Sequence, residues 1–117
     1  MSVKGDHGRK AEQLALDLLT SSKLKLVCKN YQCRYGEIDL IMKDSNTLVF
    51  VEVRYRKSQQ YGGAIESIDT KKQNKLRLTA SHYLQKNKSS LNARFDVVLL
   101  SSLTSKNEIN WIKSAFE

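Results

Sequence analysis

At 117 residues with a hydrophobic share of 40%, the chain has room for one domain with one modest core, and its composition excludes a disordered or fibrous protein. Lys and Arg total 20 against 12 acidic residues, a formal net charge of +8, which biases the surface toward polyanions such as nucleic acid or an anionic membrane face. No run approaches the roughly 20 apolar residues of a membrane-spanning helix, and polar Met1–Lys10 lacks a signal peptide's apolar stretch, so a cytoplasmic protein with no membrane association is expected.

Ala11, Leu14, Ala15 and Leu18 recur at helical spacing, with Leu16 and Leu19 widening the stripe, which predicts a first helix over Lys10–Thr20 ended by Ser21 and Ser22. Leu24–Cys33 alternates: Leu24, Leu26 and Cys28 face one way, Lys23, Lys25 and Lys29 the other, as in an edge strand that lysines protect from further pairing. Cys28 and Cys33 fall on opposite faces of that strand, a spacing that suits neither a disulfide nor a zinc site. Ile38–Met42 and Thr47–Val53 are two runs of strand formers around a tight turn at Asp44-Ser45-Asn46, a hairpin.

Arg54–Gly63 mixes cations, tyrosines and a glycine pair without an apolar period and is expected to be an exposed loop. A second helix follows over Asp69–Lys86, capped by Asp69 or Thr70, with Leu76, Ala80, Tyr83 and Leu84 on its apolar face. Phe95–Leu100 is a nearly continuous apolar run, the pattern of a strand covered on both faces. Glu108–Phe116 makes a weaker last strand with Ile109 and Trp111 on one side. The expected architecture is one α/β (α+β) domain spanning residues 1–117, in the order α-β-β-β-α-β-β, with a mixed central sheet flanked by helices.

An even-length turn at Ser45-Asn46 pairs Asp44 with Thr47, and counting outward brings Asp39 opposite Glu52 and Glu37 opposite Arg54. Like charges directly opposed on a sheet are destabilising, so an Asp facing a Glu inside a Val/Ile/Leu-rich hairpin calls for a reason. A hard divalent cation held by one or two carboxylates plus waters is one. A solvated charged face, with Glu37 and Arg54 as an ion pair, is the other.

Gly36-Glu37-Ile38-Asp39-Leu40-Ile41 followed by Val49-Phe50-Val51-Glu52-Val53-Arg54 resembles the core of the PD-(D/E)XK nuclease superfamily. More narrowly, the chain is similar to the YraN-like family, related to archaeal Holliday-junction resolvases. The likeness extends to Gly8-Arg9-Lys10-Ala11-Glu12, to Lys72, Gln73, Lys75 and Leu76, and to Arg94-Phe95-Asp96-Val97-Val98. It implies a restriction-endonuclease-like fold and an Mg²⁺- or Mn²⁺-dependent endonuclease acting on DNA, including branched or structured DNA. Catalysis would rest on Asp39, Glu52 and Arg54, and the metal on Asp39, Glu52 and the Val53 carbonyl with Glu12 approaching from the first helix. Glu12 also fits a solvated helix surface. From their own pattern, Arg56, Lys57, Lys71, Lys72 and Lys75, with Tyr55 and Tyr61 interleaved as stacking residues, would contact nucleic acid; the resemblance adds Gln73, and junction-cutting relatives imply a homodimer.

Two positions depart from the superfamily pattern. Ile38 stands where proline is common, and Arg54 stands where the motif has lysine. Arginine stays protonated, so it can clamp a phosphate but cannot act as a base. A nucleic-acid-binding module with weak or absent cleavage is therefore the alternative reading, and a basic protein-interaction domain a third.

Overall fold

Gly5 precedes the first helix, α1, which runs Asp6–Ser21 in a computed structural model that describes residues 5–56, 68–104 and 108–117. The helix starts four residues earlier than the apolar stripe implies. Its first turn, Asp6 to Arg9, carries no hydrophobic period, but Asp6 favours a helix N-terminus and the Arg9 N–H donates to the Gly5 carbonyl at 3.1 Å. Ser22 closes the helix, its N–H reaching the Leu18 and Leu19 carbonyls at 3.1 Å.

Strands β1 (Lys25–Cys33), β2 (Gly36–Asp44), β3 (Thr47–Tyr55), β4 (Asn92–Leu100) and β5 (Ile109–Phe116) form one mixed sheet in spatial order 1-2-3-4-5, and α2 (Thr70–Lys86) connects β3 to β4. The β3–β4 pair is parallel and the other three are antiparallel. A parallel neighbour needs a long crossover, which α2 supplies. The expected element order and mixed sheet are both present.

The two helices cover opposite faces. Ala11, Ala15 and Leu19 of α1 pack with Leu40, Met42, Val49, Val51, Val98 and Leu100. Leu76 and Ala80 of α2 pack with Ile41, Leu48, Phe50, Val97 and Leu99. Residues 97–100 therefore alternate between two cores, and this is the physical content of the continuous apolar run at Phe95–Leu100.

Two local expectations are corrected. β1 is an edge strand, but a bulge between Leu26 and Cys28 breaks its alternation, so Leu24 is buried while Leu26 and Val27 are exposed. Arg54 and Tyr55 belong to β3, not to a loop: they pair with Leu99 and Leu100 across the parallel ladder. Buried β4 beside them supplies backbone partners that the local sequence pattern does not reveal. Cys28 and Cys33 are free thiols. No helix among the described residues is long and apolar enough to cross a membrane.

Candidate functional site

The hairpin turn has the expected register, Asp44 against Thr47, and the ladder runs inward as far as Leu40 against Val51. There the pairing ends, one step short of Asp39 and Glu52. In place of the next backbone partner, Asp39 Oδ2 accepts the Val53 N–H at 2.8 Å. The Asp39 side chain thus holds the two strands together where their backbones part, and fixes its own carboxylate beside the start of Val53.

Glu52 lies on the α2 side of β3, in alternation with Leu48 and Phe50. Asp39 and Glu52 are each 6% exposed, and their carboxyl groups share a hydrogen bond. Burial, then the adjacent Asp39 charge, pushes the Glu52 carboxyl up to about 8, against the moderating pull of Lys72 and Arg54. A solvated charged face is overturned by this burial, since both carboxylates are inside.

Two cations approach the pair. Arg54 Nε and Lys72 Nζ each stand 3.4 Å from Glu52 Oε2. Arg54 follows Glu52 by two residues along β3, whereas Lys72 arrives from the first turn of α2. Asp69 caps that helix by accepting the Lys72 N–H at 2.8 Å, which sets the lysine's position. A cation in a helix's first turn is opposed by the macrodipole, by about 0.3–1 kcal/mol, and the buried Glu52 carboxylate offsets this. Arg54 Nε is buried without a hydrogen-bond partner, so it retains a donor for a further acceptor at the site.

Glu12 is 5% exposed on α1, which removes the solvated-surface reading. Even so, among the described residues no group of three or more His, Cys, Asp or Glu side chains is arranged to hold a metal ion, so Glu12 does not complete a three-carboxylate cluster with Asp39 and Glu52. The pair still suits a hard divalent cation, because Mg²⁺ typically takes one or two carboxylates and keeps several waters.

Gln73 has a local role: its Nε2 donates to the Ile68 carbonyl at 3.0 Å and its Oε1 accepts from Arg77 at 3.2 Å, which ties down the start of α2. Lys75 and Arg56 are exposed. Tyr55 packs against the α1-side core and meets the His7 ring edge-on at 5.9 Å. Lys57 and Tyr61 lie outside the described residues. Glu37 accepts from Gln32 on β1 at 2.7 Å, while Arg54 turns to Glu52. The Lys72–Glu52 contact is the feature that the sequence reading missed. Its only local signal was a lysine just inside a capped helix, a position the macrodipole disfavours.

Glu52 makes metal-free stability depend on pH with a definite sign. The side chain titrates near 4.5 when unfolded and near 8 when folded, so unfolding releases a proton between those values and stability falls as pH rises through that window. One proton sets a maximum slope of about 1.4 kcal/mol per pH unit. Urea midpoints of chelator-treated protein should drop between about pH 5 and about pH 8, and Glu52→Gln should flatten the drop. An identical pH trend in the Gln variant would remove Glu52 as its source.

The model of the Uncharacterised protein family UPF0102 matches residues 11–100, which include α1 from Ala11 and the chain through β4. A UPF0102 protein of Nitrosomonas europaea is 50% identical over 117 residues, covering 100% of this chain and 98% of the relative. One from Stutzerimonas stutzeri is 46% identical over 119 residues, with 100% and 99% covered. One from Methylococcus capsulatus is 43% identical over 121 residues, with 100% and 98% covered. With that match and these full-length relatives, the chain belongs to the family UPF0102.

Proposed function

We propose that this protein is a divalent-metal-dependent phosphodiesterase of the PD-(D/E)XK nuclease superfamily, with nucleic acid, and DNA in particular, as its substrate. The observation that carries this reading is the buried Asp39–Glu52 pair, two carboxyl groups in contact, with burial and the Asp39 charge pushing Glu52 up to about 8. Mutual repulsion of two buried acids is destabilising unless a cation or proton relieves it. Asp39, Glu52 and the Val53 carbonyl would hold Mg²⁺ or Mn²⁺. When bound, such an ion supplies Lewis acidity and a hydroxide-like water at neutral pH.

The chain's own residues then bind and orient the phosphodiester. Arg54 Nε, ion-paired with Glu52 but without a hydrogen-bond partner, would donate to a phosphate oxygen. Lys72, from the first turn of α2, brings a second positive charge to the same Glu52 oxygen. In the superfamily pattern that lysine would stand at position 54, and here an ammonium reaches the pair from α2 instead. Hydrolysis adds water across a P–O bond, the attacking oxygen forming the new bond and the departing oxygen leaving with a proton.

Cleavage of linear and branched DNA panels with Mg²⁺ or Mn²⁺ tests the reading, and intact substrates throughout would reduce the protein to a non-cleaving binding module. Within that assay, Lys72→Ala should lower cleavage by about 100–1,000-fold, the loss of one charge-stabilising group. Arg54→Lys should preserve or raise activity, and should restore part of it to Lys72→Ala by returning an ammonium to the site. Arg54→Ala should lower it. If Lys72→Ala cleaves like the unaltered protein, Lys72 only neutralises Glu52.

A further inference from the structure

Along α2, residues 72, 75, 79 and 82 follow one another up a single face at helical spacing. Lys72 meets Glu52 at its lower end. One turn further, α2 touches the β1–β2 turn: a Cβ built on Gly36 would lie 3.3 Å from Thr79 Oγ1 and 3.9 Å from Lys75 Cβ. Gly36 has φ +154°, a conformation that side chains rarely adopt, so the residue type permits both the turn and this close approach. Beyond it, His82 Nδ1 shares a 2.6 Å hydrogen bond with Tyr31 Oη and its ring meets Tyr35 edge-on at 6.4 Å. Arg34 lies over the Tyr35 ring at 4.9 Å and donates to its hydroxyl at 2.9 Å. Cationic and aromatic side chains therefore extend along α2 from the carboxylate pair to the β1–β2 turn, with buried Thr79 packed against Gly36 between Lys75 and His82.

Of the charges on this strip, Lys72 meets Glu52 and Arg34 meets Tyr35, and the positive charge still far exceeds the acidic groups beside it. α2 carries Lys71, Lys72, Lys75, Arg77 and Lys86 and not one Asp or Glu. Like charges three or four residues apart destabilise a helix by about 0.2–0.5 kcal/mol per pair, so Lys71, Lys72 and Lys75 together weaken α2 rather than support it. Between Tyr31 and Glu37 the single acidic residue is Glu37, whose carboxylate accepts from Gln32. What such a surface complements is a polyanion. The half-buried Tyr35 ring, braced by His82 and Arg34, adds a preorganised π-face of the kind that stacks on unpaired bases.

We propose that Arg34, Tyr35 and Lys75 bind unpaired nucleotides beside the carboxylate pair, so the preferred substrate carries a single-stranded segment adjoining the cleaved phosphate. The inference rests on the nuclease reading and names its substrate class. Four residue steps lead from Tyr35 in the turn to Asp39 on β2, about 13 Å at strand rise, the length of about four stacked nucleotides. Tyr35 would stack on a base, while Lys75 would neutralise a phosphate between it and the metal site and Arg34 one beside the stacked base. A base-paired strand offers no free base face at this position, which is why the strip selects for single-stranded character.

Fluorescence anisotropy with the full chain, free of divalent cations to prevent cleavage, compares a blunt DNA duplex with the same duplex bearing a single-stranded tail. The unaltered protein should bind the tailed duplex more tightly. Tyr35→Ala should weaken binding to the tailed duplex by about 5–150-fold, the range for loss of one stacked base, and leave the blunt duplex unchanged. Tyr35→Phe should retain the preference, and Lys75→Ala should lower the salt slope by about one. Equal affinity for the two duplexes, or an equal loss on both in Tyr35→Ala, overturns the proposal. Binding of tailed DNA that Tyr35→Ala does not alter removes this strip and leaves the nuclease reading standing. Binding of neither DNA by the unaltered protein removes both.

Discussion

Replacing Asp39 with asparagine or alanine should abolish metal-dependent cleavage, by about a thousandfold or more, while the protein still folds. Lewis-acid stabilisation of the transition state amounts to several kcal/mol, and each 1.4 kcal/mol is a factor of about ten in rate. The two variants differ in what they do to the fold. Asp39 Oδ2 accepts the Val53 N–H. Asparagine keeps a carbonyl oxygen for that bond. Alanine leaves a buried N–H unsatisfied, which costs about 1–3 kcal/mol, though loss of the like charge beside Glu52 offsets part of this. Asp39→Asn is therefore the informative variant, near normal in stability and inactive. Mn²⁺ titration followed by paramagnetic broadening should perturb signals around Val53 in the unaltered protein and leave Asp39→Asn undisturbed. Full activity in Asp39→Asn would place the metal elsewhere and sink the reading.

Asp96→Ala is expected to have the largest effect on stability, about 3–5 kcal/mol, because it removes one partner of a buried ion pair and strands the other. Asp96 is fully buried and accepts from Arg94 Nε at 3.0 Å, from Trp111 Nε1 at 3.0 Å and from the Ser114 N–H at 2.9 Å. Arg94 also donates to Asp44 at 3.0 Å. One carboxylate thus links β4, the irregular stretch of β5 around Ser114 and, through Arg94, the end of the β2–β3 hairpin. Domains of this size are stable by only about 5–15 kcal/mol, so the loss is a large fraction of the total. The melting temperature should fall by roughly 10–25 °C, and Trp111, the only tryptophan, reports the transition directly by fluorescence. Asp96→Asn keeps the shape and some acceptor capacity and should lose less. A change below about 1 kcal/mol in Asp96→Ala would mean that the network contributes nothing measurable. Arg94 and Asp96 are thus scaffold residues that hold β5 and the hairpin in place, on the evidence of their partners, rather than members of the candidate site.

Local pattern was enough for much of this protein. The even turn at Ser45-Asn46 determined the hairpin register as far as Leu40 and Val51, because turn length fixes which residues of the two strands face each other. The apolar run at Phe95–Leu100 announced a strand between two cores, and the cap of α2 was legible to within one residue, Asp69 or Thr70, of which Asp69 is the cap. What the sequence could not contain was contact between distant residues. Lys72 meets Glu52 only after α2 crosses over the sheet, Arg94 meets Asp44 only once β3 and β4 pair in parallel, and Arg54 and Tyr55 become strand only because β4 lies beside them. Periodicity reports which face of an element is apolar, not which element will cover it. The burial of Asp39, Glu52 and Glu12 follows from that covering, and so the shift of Glu52 to about 8 is a product of the tertiary structure alone, since it is desolvation that raises it.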